Sequence, residues 1–336
     1  MTAAPDRPLA LGLAGCGRLA TAGYLPALAA VAAKANVRLV AVADPDPARR
    51  RAVAQAGAAL FGAAPAGGDV ATFPDAAALL AGARVDGLIL ASPAAHHVAD
   101  AERATAAGVG VLVEKPPAPD AAGAAALAAL SPAPWVGFNR RFDRGARAVR
   151  SAIRAAPAND LAALHLEIRY RRRTWNAHAV RDDALLDLGP HLVDWARWLT
   201  ARPVVEVACR DLTTERVAAE LTLAGGKRAT LAAATDRPHA ERITVRDAAG
   251  RILARHRRGG LLAGVAGRVG LGGANALVAS LAGQLAAFAA ALRGQPPVDL
   301  GTAADGHATM LVLEAIRASA AAGGRSTPVH DPAEVS

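Results

Sequence analysis

The sequence predicts an α/β protein: a doubly wound parallel sheet, then an α+β domain with a large open, mostly antiparallel sheet. Over the first third of the chain, short apolar runs alternate with alanine-rich helical stretches, which is the pattern of parallel βαβ units. From about residue 161 onward, many segments alternate apolar and polar residues and are joined by short glycine-containing turns. This second pattern is typical of antiparallel strands with one solvated or interface face.

The predicted elements of the first part follow one another without a long gap. We expect strands at residues 9–14, 37–43, 85–91, 109–113 and 135–138, with helices at 19–33, 47–56, 97–107 and 121–130. Continuous apolar strands of this kind are covered by helices on both faces. Ligands of such sheets bind at the carboxyl ends of the strands, so we searched those ends for functional residues.

In the second part, we expect strands at 161–173, 203–211, 216–224, 227–235, 241–247 and 251–256, and helices at 190–199, 276–293 and 302–322. The stretch 269–292 carries no charge, but its alanine-rich composition favours a buried helix over a membrane span. The N-terminal segment MTAAPDRPLA has no apolar core of signal-peptide length, so we expect a cytoplasmic protein. The Gly/Ala-rich segment 259–275 matches no motif.

Composition excludes several classes of protein. The 336 residues suffice for two domains, and 38 basic against 29 acidic residues give a net charge of +9. The arginines are scattered and aromatic residues make up 3% of the chain, so nucleic-acid binding is not expected. The 2 cysteines form neither a disulfide framework nor a zinc spacing, and the histidines show no metal-ligand spacing, so we expect no metal.

The motif Gly15-x-Gly17-x-x-Ala20 follows the first strand and opens a helix. The first glycine permits a tight turn, and the second lets the backbone approach a pyrophosphate. Asp44 ends the next strand, where a carboxylate would meet the ribose hydroxyls and repel a 2′-phosphate. The motif therefore predicts NAD, with NADP left open because Arg49 and Arg50 are near. The alternative is a structural turn with a capping aspartate.

Glu114-Lys115-Pro116 lies at the end of a predicted strand. A lysine there can donate to a substrate hydroxyl and stabilise an incipient alkoxide. Arginine is the usual cation of this chain, since its lysines are only Lys34, Lys115 and Lys227. A lysine at this position therefore indicates a need for a compact donor, whereas the alternative is a surface lysine in a loop.

The third motif runs from Asp187 to His191. Pro190 suits the first position of a helix and Gly189 its cap, which would place His191 in the first turn, where the helix dipole lowers imidazole basicity. A histidine beside a carboxylate can act as a general base. The alternative is a histidine at a helix start with a capping aspartate.

Together these motifs give a resemblance over nearly the whole chain. GCGRLA, VADPDPARR, SPAAHH, VLVEKPPA, GFNRRFD and LLDLGPHLVDWARWL occur in this order. In these segments the chain resembles the Gfo/Idh/MocA (glucose–fructose oxidoreductase / inositol dehydrogenase) family. The resemblance implies an N-terminal Rossmann domain, taken as residues 1–120, and an α+β substrate-binding and oligomerisation domain, taken as residues 121–336. It also implies a homodimer or homotetramer formed through the C-terminal sheet.

The family's functional residues carry over onto this sequence position by position. The resemblance implies that Lys115, His191 and Asp187 are catalytic. The expected cofactor-binding residues are Gly15, Gly17, Arg18, Leu19, Ala20, Asp44, Ser92, Pro93, His97, Glu114 and Lys115. The resemblance also implies substrate contacts at Asn139 and Arg141. From the residues themselves, we add Tyr170 and Trp175 as candidate substrate contacts, since Trp175 could stack on a sugar ring; the alternative for Trp175 is a core or interface residue. The family often has a glycine-rich stretch before the aspartate, whereas this chain has residues 181–185, RDDAL, so the substrate stays open.

The expected function is hydride transfer between NAD and a secondary alcohol or ketone of a sugar, amino sugar or cyclitol. One alternative is an NAD-recycling epimerase or glycosidase-type enzyme of the same fold, which would release no net NADH. Another is a non-catalytic NAD-binding sensor, which would be free to lose the lysine or the histidine.

Overall fold

The computed structural model describes residues 7–61, 69–157, 161–172, 182–259 and 275–330. The chain divides into two compact units. The first contains residues 1–142 and 274–307, and the second contains residues 143–273 and 308–336. The sequence predicted that the first domain ends at residue 120. In the structure the first unit continues to residue 142 and includes the later segment 274–307.

A seven-stranded sheet organises the first unit. Its strands are β1 (Leu9–Ala14), β2 (Val37–Ala43), β3 (Ala71–Phe73), β4 (Gly87–Leu90), β5 (Gly110–Val113) and β6 (Trp135–Val136), with β13 (Gly301–Thr302) at one edge. The order is β13-β6-β5-β4-β1-β2-β3, and every pair is parallel except β13 with β6. This is the doubly wound order of a Rossmann sheet, as predicted.

The helices of this unit follow the strands in turn. They are α1 (Leu25–Ala35), preceded by a π-helical turn at Ala20–Tyr24, then α2 (Pro47–Phe61), α3 (Ala76–Gly82), α4 (His97–Ala106), α5 (Ala121–Ala129) and α8 (Ala276–Leu292). Short 3₁₀ turns lie at Ala94–His96 and Asn139–Phe142. The pair β3 and α3 was not predicted, because so short a strand carries little periodicity.

The helix α8 belongs to the core of the first unit although it comes late in the sequence. Its residues Leu281, Leu285 and Phe288 are buried with the apolar residues of β1, β2 and α1. A Cβ at Gly23 would lie 2.8 Å from Leu281, so the glycine permits the close approach of the two helical segments. From Ala276 onward, the charge-free stretch thus forms a helix that packs into this core. None of the helices in the described ranges is long and apolar enough to cross a membrane.

A second seven-stranded sheet organises the second unit. Its strands are β7 (Leu161–Arg171), β8 (Val204–Leu212), β9 (Arg216–Leu223), β10 (Lys227–Ala234), β11 (Asp236–Asp247), β12 (Ile252–Gly259) and β14 (Thr327–Pro328). The order is β12-β11-β7-β10-β9-β8-β14, with β7 and β10 parallel and the other pairs antiparallel. One face is buried along each central strand, which agrees with the alternating pattern of the sequence.

The helices α6 (Arg144–Ala155), α7 (Ala184–Thr200) and α9 (Ala303–Ala321) complete the described structure. The prediction for α7 was wrong at its start. The cap is Asp183, whose side chain accepts a hydrogen bond from the Leu186 amide at 2.8 Å, so the helix begins before Gly189. Pro190 lies inside the helix, where it removes one backbone donor. Burial of most of the helix keeps it continuous through the proline.

Candidate active site

The loop after β1 has the geometry that its glycines predict. Gly15 has a φ of +98°, and a Cβ at this position would lie 2.4 Å from the carbonyl oxygen of Ala91. Only glycine fits here, because the loop passes directly against the end of β4. A Cβ at Gly17 would meet nothing within 4 Å, so the surface beside Gly17 is open. Of the next residues, Arg18 is exposed, Leu19 half-buried and Ala20 buried.

Asp44 is fixed at the carboxyl end of β2. Its two carboxylate oxygens accept hydrogen bonds from the backbone amides of Cys16 at 2.8 Å and Asp46 at 2.9 Å. The carboxylate therefore ties the glycine loop to the strand end, and each oxygen keeps a lone pair for a further donor. Burial, reinforced by the charge of Asp44, raises the pKa of the Cys16 thiol to about 12.

The segment after β4 contains Ser92, Pro93 and His97. Within the described part of the chain, the Ser92 hydroxyl oxygen is buried and has no hydrogen-bond partner. His97 is 1% exposed, and its ring nitrogens lie 2.8 Å from the Ser92 carbonyl oxygen and 3.1 Å from that of Pro117. Burial lowers the pKa of His97. The imidazole braces the loops after β4 and β5, and its contact with a cofactor stays a prediction.

Glu114 and Lys115 follow β5. Glu114 is buried; its Oε1 accepts a hydrogen bond from the Tyr24 hydroxyl at 2.6 Å, and its Oε2 accepts one from the Lys115 amide at 3.0 Å. Burial raises the pKa of Glu114. The side chain of Lys115 is half-buried at the strand end. The lysine two residues after the strand therefore has its backbone amide held by the side chain of the preceding residue.

These features fit a dinucleotide cofactor. An open surface beside Gly17, a fixed carboxylate at Asp44 and a buried hydroxyl without a partner at Ser92 lie at the ends of three neighbouring strands. A helix begins directly after the glycine loop, so backbone amides and the positive end of the helix are available to phosphates.

In the second unit, α7 carries Asp187 and His191 one turn apart, so both lie on one face of the helix. The Asp187 Oδ2 accepts a short hydrogen bond from the Tyr170 hydroxyl and one from Arg172 at 3.1 Å. His191 is buried, at 5% exposure. It does not lie in the first turn, so the predicted effect of the helix dipole on its basicity was wrong.

The structure places the other predicted substrate residues differently. Asn139 donates to the Ser280 hydroxyl at 2.9 Å, and Arg141 forms an ion pair with Asp305 at 3.0 Å. Both side chains are buried in these internal contacts of the first unit, so the function proposed below does not use them. Trp175 lies outside the described residues. Among those residues, no group of three His, Cys, Asp or Glu side chains could hold a metal ion.

Sequence reasoning missed three residues that support the predicted site residues. Tyr24 donates to Glu114, Gln284 contacts the Tyr24 hydroxyl, and Arg172 binds Asp187. Arg172 shares a strand face with Tyr170 in the sequence pattern, which was a usable signal. Tyr24 and Gln284 are 260 positions apart, and no local pattern brings such residues together.

The two tyrosines of the chain give a direct test of these contacts. Burial raises the pKa of both Tyr24 and Tyr170, and the adjacent Glu114 and Asp187 carboxylates raise each further. A free phenol titrates near pH 10. We expect the folded protein to show no tyrosinate absorbance at about pH 10, where the unfolded protein shows about half of its full absorbance.

The sign follows from the raised folded-state pKa. The contribution of the phenols to stability is complete below the unfolded pKa and is lost as the pH rises through the folded value. Tyr170→Phe should remove half of the tyrosinate amplitude of the unfolded protein and leave Tyr24 silent in the folded state. Titration of either tyrosine near pH 10 in the folded protein would contradict the hydrogen bonds described.

Comparison with known proteins agrees with this geometry. Residues 9–133 match the Gfo/Idh/MocA family model, described as an oxidoreductase family with an NAD-binding Rossmann fold. An inositol 2-dehydrogenase from Leifsonia xyli subsp. xyli is 31% identical over 212 residues, which are 62% of this chain and 57% of that relative. The chain thus spans little more than half the length of this curated relative.

Solved structures with a similar fold align with most of the chain. A putative myo-inositol dehydrogenase from Sinorhizobium meliloti aligns with a TM-score of 0.74 at 24% identity, covering 96% of this chain and 100% of that one. A scyllo-inositol dehydrogenase from Lactobacillus casei, with bound NAD(H) and scyllo-inositol, aligns with a TM-score of 0.75 at 18% identity, covering 96% and 99%. At these identities the likeness is one of fold. The match over residues 9–133 agrees with the sequence resemblance, and these residues form an NAD-binding Rossmann domain similar to that of the Gfo/Idh/MocA oxidoreductase family.

Proposed function

We propose that the protein is an NAD-dependent dehydrogenase that interconverts a secondary hydroxyl and a ketone on a cyclitol of the inositol class. The observation that carries the proposal is the pair Asp187 and His191, one turn apart on α7, in a chain whose first unit has an NAD-binding Rossmann domain. Relatives and structural neighbours named as inositol dehydrogenases support the cyclitol, and sugars or amino sugars are the wider class.

Each residue of the proposed site has a separate task. NAD, when bound, supplies the hydride acceptor. His191 accepts the proton of the substrate hydroxyl as general base. Lys115 can donate a hydrogen bond to a substrate oxygen and stabilise a developing negative charge there. Asp187 orients the imidazole and supports its charged form, as carboxylates do in related acid–base pairs.

Tyr170 and Arg172 complete this arrangement through Asp187. Both donate to Oδ2, so this oxygen is held in place, and the carboxylate has a guanidinium as its charged partner. We assign Tyr170 to the support of Asp187, a role that does not depend on contact with substrate.

The contacts around Asp44 favour NAD over NADP. A 2′-phosphate would meet the Asp44 carboxylate, which repels it. The two nearby arginines have local partners: Arg50 donates to the Asp44 carbonyl oxygen at 3.0 Å, and Arg49 pairs with Asp46 at 3.3 Å. Binding of a 2′-phosphate would require these contacts to break. We therefore propose NAD as the cofactor.

The test is a turnover assay with the purified protein. NAD or NADP is combined with separate inositol isomers, sugars and nucleotide sugars, and the absorbance of the reduced nicotinamide is followed. We expect reduction of NAD with at least one inositol isomer. Product formation without net reduced nicotinamide would favour the recycling enzyme. Tight NAD binding without turnover of any substrate would favour the sensor.

We also propose that the protein forms a homodimer or homotetramer through the sheet of the second unit. The test is the mass in solution, by light scattering. A dimer or tetramer is the expected result, and a monomer at the concentrations of the assay would contradict it.

A further inference from the structure

A buried polar cluster lies inside the first unit, next to the backbone of Lys115. Its members are Tyr24, Glu114 and Gln284, which come from the π-helical turn before α1, the end of β5 and the middle of α8. Tyr24 and Gln284 are fully buried and Glu114 is 6% exposed. Three polar side chains from three separate segments therefore meet beside the apolar core of the unit, to which Tyr24 also belongs.

The hydrogen bonds of this cluster form one chain that ends on Lys115. The Gln284 amide lies 3.5 Å from the Tyr24 hydroxyl oxygen, and the Tyr24 hydroxyl donates to Glu114 Oε1 at 2.6 Å. The other carboxylate oxygen accepts from the Lys115 backbone amide at 3.0 Å. The Glu114 side chain thus joins the core of the unit to the main chain of the lysine.

Packing leaves the Glu114 side chain little freedom to move. A Cβ at Gly137 would lie 3.2 Å from Glu114 Oε1 and 3.1 Å from its Cδ, so the carboxyl group fills the space beside this glycine. A buried carboxyl oxygen without a donor is costly, because it has lost its water without replacement. Packing and the cost of an unpaired oxygen therefore both favour the position of Glu114 in which each carboxyl oxygen accepts a hydrogen bond.

Gln284 shows that the cluster is kept at a cost. Within the described residues, its Oε1 is buried and has no hydrogen-bond partner. An apolar residue at this position on α8 would avoid that cost, since the neighbouring residues Leu281, Leu285 and Phe288 are apolar and buried. Half-satisfied buried amides are uncommon in native proteins, so the presence of Gln284 here needs an explanation. We attribute it to the contact between the Gln284 amide and the Tyr24 hydroxyl.

We propose that Tyr24 and Gln284 are positioning residues for Lys115, acting through Glu114. They hold the carboxyl group that fixes the Lys115 backbone, and so determine where the ammonium group is presented at the end of β5. The catalytic consequence rests on the function proposed above, whereas the effect on the position of Lys115 does not. A misplaced catalytic group loses rate more than binding, because its alignment matters most in the transition state.

The low lysine content allows this proposal to be tested on the whole protein. Lysine labelled with carbon isotope at the ε-carbon gives three side-chain NMR signals, from Lys34, Lys115 and Lys227. The Lys115 signal is assigned by its loss in Lys115→Arg. We expect Tyr24→Phe to move the Lys115 signal and to leave the other two unchanged. We also expect kcat to fall by about 10- to 100-fold, with KM changed by less than about threefold.

A matched control separates positioning from the loss of a buried hydroxyl. Thr309 in α9 is fully buried, and its hydroxyl has no hydrogen-bond partner within the described residues. Thr309→Val should leave the Lys115 signal and kcat unchanged. If Tyr24→Phe does not fold, Gln284→Leu takes its place, because leucine has a similar size but cannot contact the Tyr24 hydroxyl through a hydrogen bond.

The outcomes are distinguishable. An unmoved Lys115 signal in Tyr24→Phe, or in Gln284→Leu where it is needed, overturns the positioning proposal whatever the activity. A moved signal in a protein that reduces NAD with no inositol isomer keeps the positioning of Lys115 and removes the proposed function. A moved signal with unchanged kcat, in a protein that is active as a dehydrogenase, overturns the catalytic consequence.

Discussion

Replacing Lys115 with alanine is expected to lower kcat by about 100- to 1000-fold, the effect of removing one donor to a developing oxyanion. The loss arises in the transition state, so KM for the substrate and the affinity for NAD should change much less. Steady-state kinetics with the best substrate of the assay panel gives kcat and KM, and fluorescence titration gives NAD affinity.

Lys34→Ala is the matched control. Lys34 is an exposed lysine in the last turn of α1, so its removal deletes the same charge without touching the site. Lys115→Arg should be almost as slow as Lys115→Ala, because a planar guanidinium cannot replace a compact, rotatable ammonium. Wild-type turnover in Lys115→Ala would remove the lysine from the mechanism.

The second large effect concerns the two glycines of the loop after β1. Gly15→Ala is expected to destabilise the protein by about 2–6 kcal/mol, the combined penalty of a strained backbone and an overpacked contact. The φ of +98° disfavours any side chain, and the added Cβ would lie 2.4 Å from a backbone oxygen. Denaturant unfolding followed by circular dichroism should show an earlier transition.

Gly17→Ala separates folding from cofactor binding. Its added Cβ would meet no protein atom within 4 Å, so the unfolding transition should match that of the wild type. The methyl group would occupy the space that the backbone leaves for the pyrophosphate, and NAD affinity should fall by at least about tenfold. Equal effects of the two substitutions on stability, or unchanged NAD affinity in Gly17→Ala, would contradict this assignment of the loop.

Much of the first unit could be predicted because its signals are local. The strands β1 and β2 begin and end where their apolar runs do, at Leu9–Ala14 and Val37–Ala43. Such runs are long enough to distinguish from turns and are bounded by glycine, proline and aspartate. The glycine loop and Glu114-Lys115 then fall at strand ends, as βαβ geometry requires.

The start of α7 could not be predicted by the same reasoning. Pro190 at a first helical position is the commoner arrangement, and Gly189 favoured it. The helix instead begins at Ala184, capped by Asp183, which also pairs with Arg317 at 2.7 Å. That partner is remote in sequence, so tertiary contact decided the boundary.

The contacts around the candidate catalytic residues were even harder to predict from the sequence. The hydrogen bonds of Tyr170 and Arg172 to Asp187 depend on how β7 lies against α7. The sequence placed both residues on one strand face but did not say what they faced. Substrate identity is further removed, since it depends on small differences in a pocket that fold class does not specify.

The helix α8 comes late in the sequence but packs in the core of the first unit, and this affects folding during synthesis on the ribosome. Residues 274–307 complete the first unit, and Leu281, Leu285 and Phe288 cover apolar residues of β1, β2 and α1. When only residues 1–142 have emerged, that apolar surface has no cover and is open to chaperones and to aggregation. The cofactor-binding unit is thus first in the sequence but is completed late in translation, and a fragment cut after Phe142 would lack part of its own core.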